Sequence, residues 1–189
     1  MRVVRVKVMG DPALQKVGRN WSKTAEGLVH ATSEYFEREF QVRFVVVKVA
    51  AWPVDKSTRS TKVLLSALKK DFPLKGTKDR IDMIIGFTGE SVDRYGAGRA
   101  RVDRLGNCHD GLASYMVSAV TDPFFYRPNS QEITWDALAV IHEMGHAFGA
   151  EHNNDENSIM HRDFGYRTEF DKRNRDVILK NRMCPFARK

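Results

Sequence analysis

Valines alternate with basic residues at the start of the chain. Val4, Val6 and Val8 enclose Arg5 and Lys7, and Gly10-Asp11-Pro12 follows. A two-residue period closed by turn formers predicts a strand. Trp21, Ala25, Leu28, Val29, Thr32, Phe36 and Phe40 then recur at three- and four-residue steps, the stripe of an amphipathic helix. The stretch 41–52 is rich in β-branched residues and barely interrupted by charge. It predicts a strand covered on both faces and ended by Pro53. Leu64, Leu65, Leu68 and Phe72 mark a second helix stopped by Pro73, and Ile81 to Phe87 reads as a third, short apolar strand. Strand–helix–strand–helix–strand with buried strands implies a mostly parallel twisted sheet with right-handed crossovers, an α/β (α+β) fold.

Beyond Gly86 the pattern changes. Gly89, Gly96, Gly98 and Gly106 punctuate a charged stretch in which only 97–102 suits a strand. There Arg99 and Arg101 alternate with small apolar residues, as on an exposed edge strand. The glycines match neither phosphate-loop pattern, so nucleotide binding is discounted. Leu112 to Val120 reads as a further strand, and Thr134 to Phe148, apolar nearly all round, as a buried helix. A last helix is expected near Lys172 to Met183. Val177, Ile178 and Met183 are its only apolar anchors, so it is expected to pack weakly.

Composition narrows the class. A chain of 189 residues that is 42% hydrophobic supports one core, and without repeat or linker it reads as one domain, residues 1–189. No apolar run approaches the roughly 20 residues of a membrane span. Lys and Arg outnumber Asp and Glu by 31 to 24, but the basic residues are scattered and no zinc-finger or RNP motif accompanies them. Nucleic acid is therefore not the expected partner. Cys108 and Cys184 are too few for a disulfide scaffold and too far apart for CxxC; one bridge and two buried thiols are both open. The first residues lack the continuous apolar core of a signal peptide. The chain either stays inside the cell or begins after a removed segment.

The chemistry concentrates in the buried helix. His142 and His146 stand at i, i+4, on one face and a turn apart, where both imidazoles can bind one zinc ion. Glu143 is displaced round the helix and suits a water on the ion rather than the ion itself. Ionisable groups facing inward on an apolar helix are costly unless something pairs them, and a metal does so. Gly149 can take a positive φ and end the helix, bringing His152 back to the same metal. The whole reads HExxHxxGxxH, the metzincin signature, and Ser158-Ile159-Met160 looks like the Met-turn.

On these residues the chain resembles the metzincin zinc peptidases, most closely the adamalysin/reprolysin branch. Phe87-Thr88-Gly89, then Gly98-Arg99-Ala100 and Cys108, resemble the reprolysin run from third strand to substrate-binding edge strand. The resemblance implies one catalytic Zn²⁺ on His142, His146 and His152, with Glu143 as general base and Met160 beneath. It implies that Gly98, Arg99 and Ala100 belong to an edge strand, from Gly96 to Asp103, clamping an extended peptide or protein substrate. Binding in mid-chain makes the expected activity that of an endopeptidase. It further implies an upper lobe of about 1–149, a lower lobe of about 150–189, and a primed-side wall from His161 to Tyr166. A Cys108–Cys184 bridge between the lobes would favour a secreted or extracytoplasmic home.

Departures from the family pattern are specific. Asn153 follows the third histidine where reprolysins usually carry Asp. Arg162 stands where astacins and serralysins place a zinc-binding tyrosine, and the cysteine cluster of archaemetzincins is missing. No carboxylate-rich loop marks a calcium site, and nothing signals an oligomeric state. The competing readings are an aminopeptidase of archaemetzincin type and a basic zinc-containing binding module without catalysis. The second would be expected to have lost Glu143.

Overall fold

The computed structural model describes residues 1–18, 20–54, 60–74, 80–90, 98–121 and 132–187. β1 (Arg2–Gly10) is flanked in parallel by β2 (Val42–Ala51) and β3 (Met83–Thr88). β3 pairs in parallel with β5 (Tyr115–Ala119), and the short β4 (Ala100–Val102) lies antiparallel against β5. The sheet order is β2-β1-β3-β5-β4. This is the mixed α/β, mostly parallel architecture that the alternation of elements implies.

Period two sorts the strand residues onto two faces. Met83, Ile85, Phe87 and Met116 join Val4, Val6 and Val8 in a core with α2 (Trp21–Phe40) and α4 (Trp135–Ala147). Ile84, Tyr115 and Val117 face α3 (Thr61–Asp71) and Trp52 on the other side. Phe36 centres the larger core, with the rings of Phe40, Phe44, Phe148 and Phe170 at 5.1–6.2 Å. Tilted and edge-on contacts of this kind suit the ring quadrupole.

β2, expected to be covered on both faces, is instead an edge strand with Val45 exposed, and four further findings differ from the sequence pattern. Gly10-Asp11-Pro12 does more than end a strand: Asp11 caps α1 (Pro12–Val17), accepting from Leu14 N at 2.7 Å. Proline at the first helical position behind an aspartate cap is the signal for it. Secondly, the strand expected from Leu112 begins only at Tyr115, because Asp103 Oδ1 accepts from Ser114 N and Tyr115 N at 3.0 and 3.1 Å. Leu112 instead exchanges hydrogen bonds with the C-terminal tail, to Pro185 O and from Ala187 N.

Thirdly, α5 (Lys172–Asn181) stops before Met183, which is 63% exposed and anchors nothing. Ile178 is buried, and Asn174 and Asn181 are buried beside it. Asn174 Nδ2 donates to Glu151 O at 3.0 Å and Asn181 Nδ2 to Phe148 O at 2.9 Å. Polar anchors do what the missing apolar ones could not. Fourthly, the edge strand is shorter than the stretch 97–102; Gly96 and Ala97 lie outside the described residues. No helix among the described residues is long and apolar enough to cross a membrane.

Candidate active site

α4 begins where Thr134 accepts from Ala137 N, and it carries His142, Glu143 and His146. Phe148 closes it and Gly149 follows at φ +98°. A side chain there would be strained, and its Cβ would meet Gly106 O at 2.5 Å. Glycine is required on both counts. The turn sends the chain back so that His152 Nε2 stands 3.1 Å from both His142 Nε2 and His146 Nε2.

The other ring nitrogens decide the protonation. His142 Nδ1 lies 2.6 Å from Ile159 O and His146 Nδ1 2.7 Å from Ala150 O. A carbonyl only accepts, so Nδ1 carries the proton and Nε2 presents a lone pair. One proton on His152 Nε2 could serve only one of its two neighbours. Burial, aided by the His146 imidazole, pushes His142 down to about 3, and burial pushes His146 down to about 4. Burial also lowers His152. All three rings are therefore neutral at pH 7. Three converging lone pairs, with ligand atoms within 4.8 Å of one another, fit a cation. Tetrahedral zinc with nitrogens at about 2.0–2.1 Å sets those nitrogens about 3.3 Å apart.

Glu143 lies beside this triad. Its Oε2 accepts from Val102 N at 3.0 Å, and burial raises its pKa to about 7. Met160 is fully buried beneath the helix. A Cβ on Gly145 would meet its sulfur at 2.8 Å. Of the residues just before it, Ile159 supplies the carbonyl that orients His142 and Ser158 a hydroxyl bonded to Asp171.

Gly98, Arg99 and Ala100 line the same cleft, of about 760 Å³, as the three histidines and Glu143. Ala119 N donates to Arg99 O at 2.8 Å and Asp103 N to Tyr115 O at 3.0 Å. Odd-numbered residues thus turn their main chain to β5, and Ala100 and Val102 turn theirs outward. Val102 N, pointing that way, is the group that meets Glu143.

The sequence profile of metallo-peptidase family M12 matches residues 2–187. The chain belongs to metallo-peptidase family M12. Membership in M12, together with the histidine triad, makes it a zinc metallopeptidase. No curated protein matches it significantly. Among solved structures it is similar to archaemetzincin from Methanopyrus kandleri, at 18% identity over 94% of each chain with a TM-score of 0.58. That likeness is one of fold.

In this M12 peptidase one site residue, Asp136, escaped the sequence reading. Arg99 reaches from the edge strand to the buried Asp136 in the first turn of α4, and to Thr121. Its guanidinium also lies 5.4 Å from the Phe164 ring. Phe164 and Tyr166 pack on Trp135 at 5.8 and 5.4 Å. An aspartate in the first turn of a helix is a readable signal; its partner on a distant strand is not.

Asn153, the departure from the reprolysin pattern, has a physical reason. Its Nδ2 donates to Asp171 Oδ2 at 2.6 Å and to Ser158 Oγ at 3.3 Å. Ser158 Oγ donates to the same carboxylate at 2.7 Å. Partial burial pushes the Asp171 pKa up, but hydrogen bonds from Ser158, Asn174 and Asn153 outweigh it and hold it below its usual value. The carboxylate thus sits on the cap of α5, and the residue after His152 must donate.

Asn153→Asp sets two carboxylates against each other. It is expected to cost about 2–3 kcal/mol and to weaken zinc binding through His152, with the penalty shrinking as the pH falls and one carboxyl protonates. The double variant Asn153→Asp/Asp171→Asn restores one donor and one acceptor. Thermal melts of the single and double variants check this: equal melting temperatures would remove the network's role.

Proposed function

We propose that this M12 peptidase is an endopeptidase of the adamalysin/reprolysin kind, with one zinc ion held by His142, His146 and His152. The convergence of three Nε2 lone pairs beside an outward-facing edge strand carries the reading. When bound, zinc supplies Lewis acidity to a water and to the peptide carbonyl. Glu143 is the proton carrier. With Oε2 held by Val102 N, its Oε1 takes the proton of the attacking water and returns it to the leaving amine. A carboxyl raised towards neutrality suits both transfers. Met160 and the Ile159 carbonyl support the histidines from below.

Ala100 and Val102 present main-chain groups along which an extended peptide lies as an added strand, in mid-chain. Residues up to Gly149 form an upper lobe and those from Ala150 a lower one, with the cleft between them. The Cys108–Cys184 disulfide supports an extracytoplasmic home, since cytosolic reductants keep thiols reduced.

One assay separates the readings: an internally quenched peptide and an aminoacyl reporter, each with and without a chelator. Internal cleavage that stops with the chelator and returns with zinc is the expected result. Release from the aminoacyl reporter alone would make the enzyme an aminopeptidase, and chelator-resistant cleavage would remove the zinc mechanism.

A further inference from the structure

Three arginines follow one another along the cleft's rim, and among the described residues a carboxylate pairs with two of them. Arg99 is tied to Asp136, and Arg104 pairs with Asp103 while donating to Asp110 O. Arg101, between them on β4, makes no ion pair among the described residues. Its Nε, like that of Arg99, is shielded from solvent and has no hydrogen-bond partner among the described residues. Burying such a donor without an acceptor costs free energy that a folded protein normally avoids. What sets Arg101 apart is that it lines the open cleft while no carboxylate among the described residues forms an ion pair with it, so its guanidinium is left for an acceptor that a ligand brings.

The position of Arg101 says where that acceptor sits. Its neighbour Val102 donates to Glu143, and Arg101 itself lines the cleft with Glu143 and the histidines. Its charge also acts on the Glu143 carboxyl, opposing the rise caused by burial. Across the triad the exposed Arg162 lines the same cleft and bears on His152. Glu151, the acidic residue on that side, is answered by Arg173. Apart from Glu143, whose carboxyl serves the scissile bond, the charges lining the cleft without an ion-pair partner among the described residues are positive.

We infer that Arg101 is a specificity-determining residue that binds a carboxylate of the peptide substrate next to the scissile bond. The planar guanidinium, with its two terminal nitrogens side by side, matches a carboxylate in bidentate fashion, which an ammonium does not. The carboxylate belongs to an Asp or Glu side chain of the peptide. Arg162 adds attraction at longer range, so acidic peptides are favoured over basic ones. This inference rests on the endopeptidase reading above, and its test also works without cleavage.

Matched quenched peptides carry Glu, Gln or Lys at each position flanking the cleaved bond, each with a free or an amidated C-terminus. The wild-type kcat/KM is expected to favour Glu over Gln at one position by about tenfold or more, the usual scale for a hydrogen bond to a charged group. In Arg101→Gln that ratio falls to about one. Arg101→Lys restores part of it and Arg101→Glu turns it towards Lys, while zinc content and melting temperature show that each variant is folded.

A preference that follows the free C-terminus instead of the side chain would overturn the inference. An unchanged ratio in Arg101→Gln, with kcat lowered equally for all peptides, would overturn the inference and leave Arg101 a partner of Glu143 alone. Anisotropy of the same labelled peptides on Glu143→Ala, with and without zinc, supplies the second readout. Tighter binding of the Glu peptide that is lost on adding Arg101→Gln supports the subsite even if no peptide is cleaved. Equal binding of the Glu and Gln peptides would overturn it.

Discussion

Glu143→Gln is expected to keep its zinc and to lose peptidase activity by about 10²–10⁴, the usual worth of a general base. The amide is the right size, and its oxygen can still accept from Val102 N, which Glu143 Oε2 now does at 3.0 Å. The edge strand and the fold are thereby spared. What disappears is the ability to take a proton at Oε1. Glu143→Ala removes the same function but also frees the Val102 amide, so its melting temperature is expected to fall where that of Glu143→Gln holds. Metal analysis, a melt and the quenched-peptide assay measure the three effects separately. Full activity in Glu143→Gln would sink the proton-transfer role. Loss of zinc in that variant would mean that Glu143 contacts the metal and not the water.

The parts of this molecule that can be read from the sequence are those whose cause is local. Val4, Val6 and Val8 alternate because a strand has two faces, and His142, His146, Gly149 and His152 are spaced by one helix turn and one reversal. The parts that cannot be read are pairs of polar groups brought together over long separations. Asn153 and Asp171 are 18 residues apart, Arg99 and Asp136 37, and hydrogen bonding leaves no period in a sequence. The same gap explains α5. An amphipathic count finds few apolar anchors, yet Asn174 and Asn181 are buried and bonded to the main chain around the end of α4. Arg101 is hidden for a further reason: an arginine on an edge strand normally signals solvent, and only the bonds of its neighbours reveal that it stands apart.

Removing the Cys108–Cys184 disulfide is expected to be the costliest change outside the catalytic groups. The bridge spans 76 residues, and closing a loop of that length stabilises by roughly 4–5 kcal/mol in the chain-entropy model. It fastens the turn after β4 to the chain just beyond α5, beside Asn181, whose Oδ1 lies 3.4 Å from Cys108 Sγ. The tail it holds is what Leu112 pairs with, through Ala187 N and Pro185 O. Ser114 Oγ also donates to Ala187 O. The zinc histidines lie on α4 and the loop after it, so the metal is expected to stay bound at room temperature in Cys108→Ser/Cys184→Ser. The loss appears on heating. For a chain of this size about 2–4 °C per kcal/mol becomes a fall in melting temperature of roughly 10–15 °C. Scanning calorimetry of the double variant, run with and without a chelator, separates this loss from any loss of metal. Thiol titration of the denatured, unreduced wild-type protein is expected to find no free thiol. Two free thiols, or an unchanged melting temperature in the double variant, would remove the bridge and with it the support for an extracytoplasmic home.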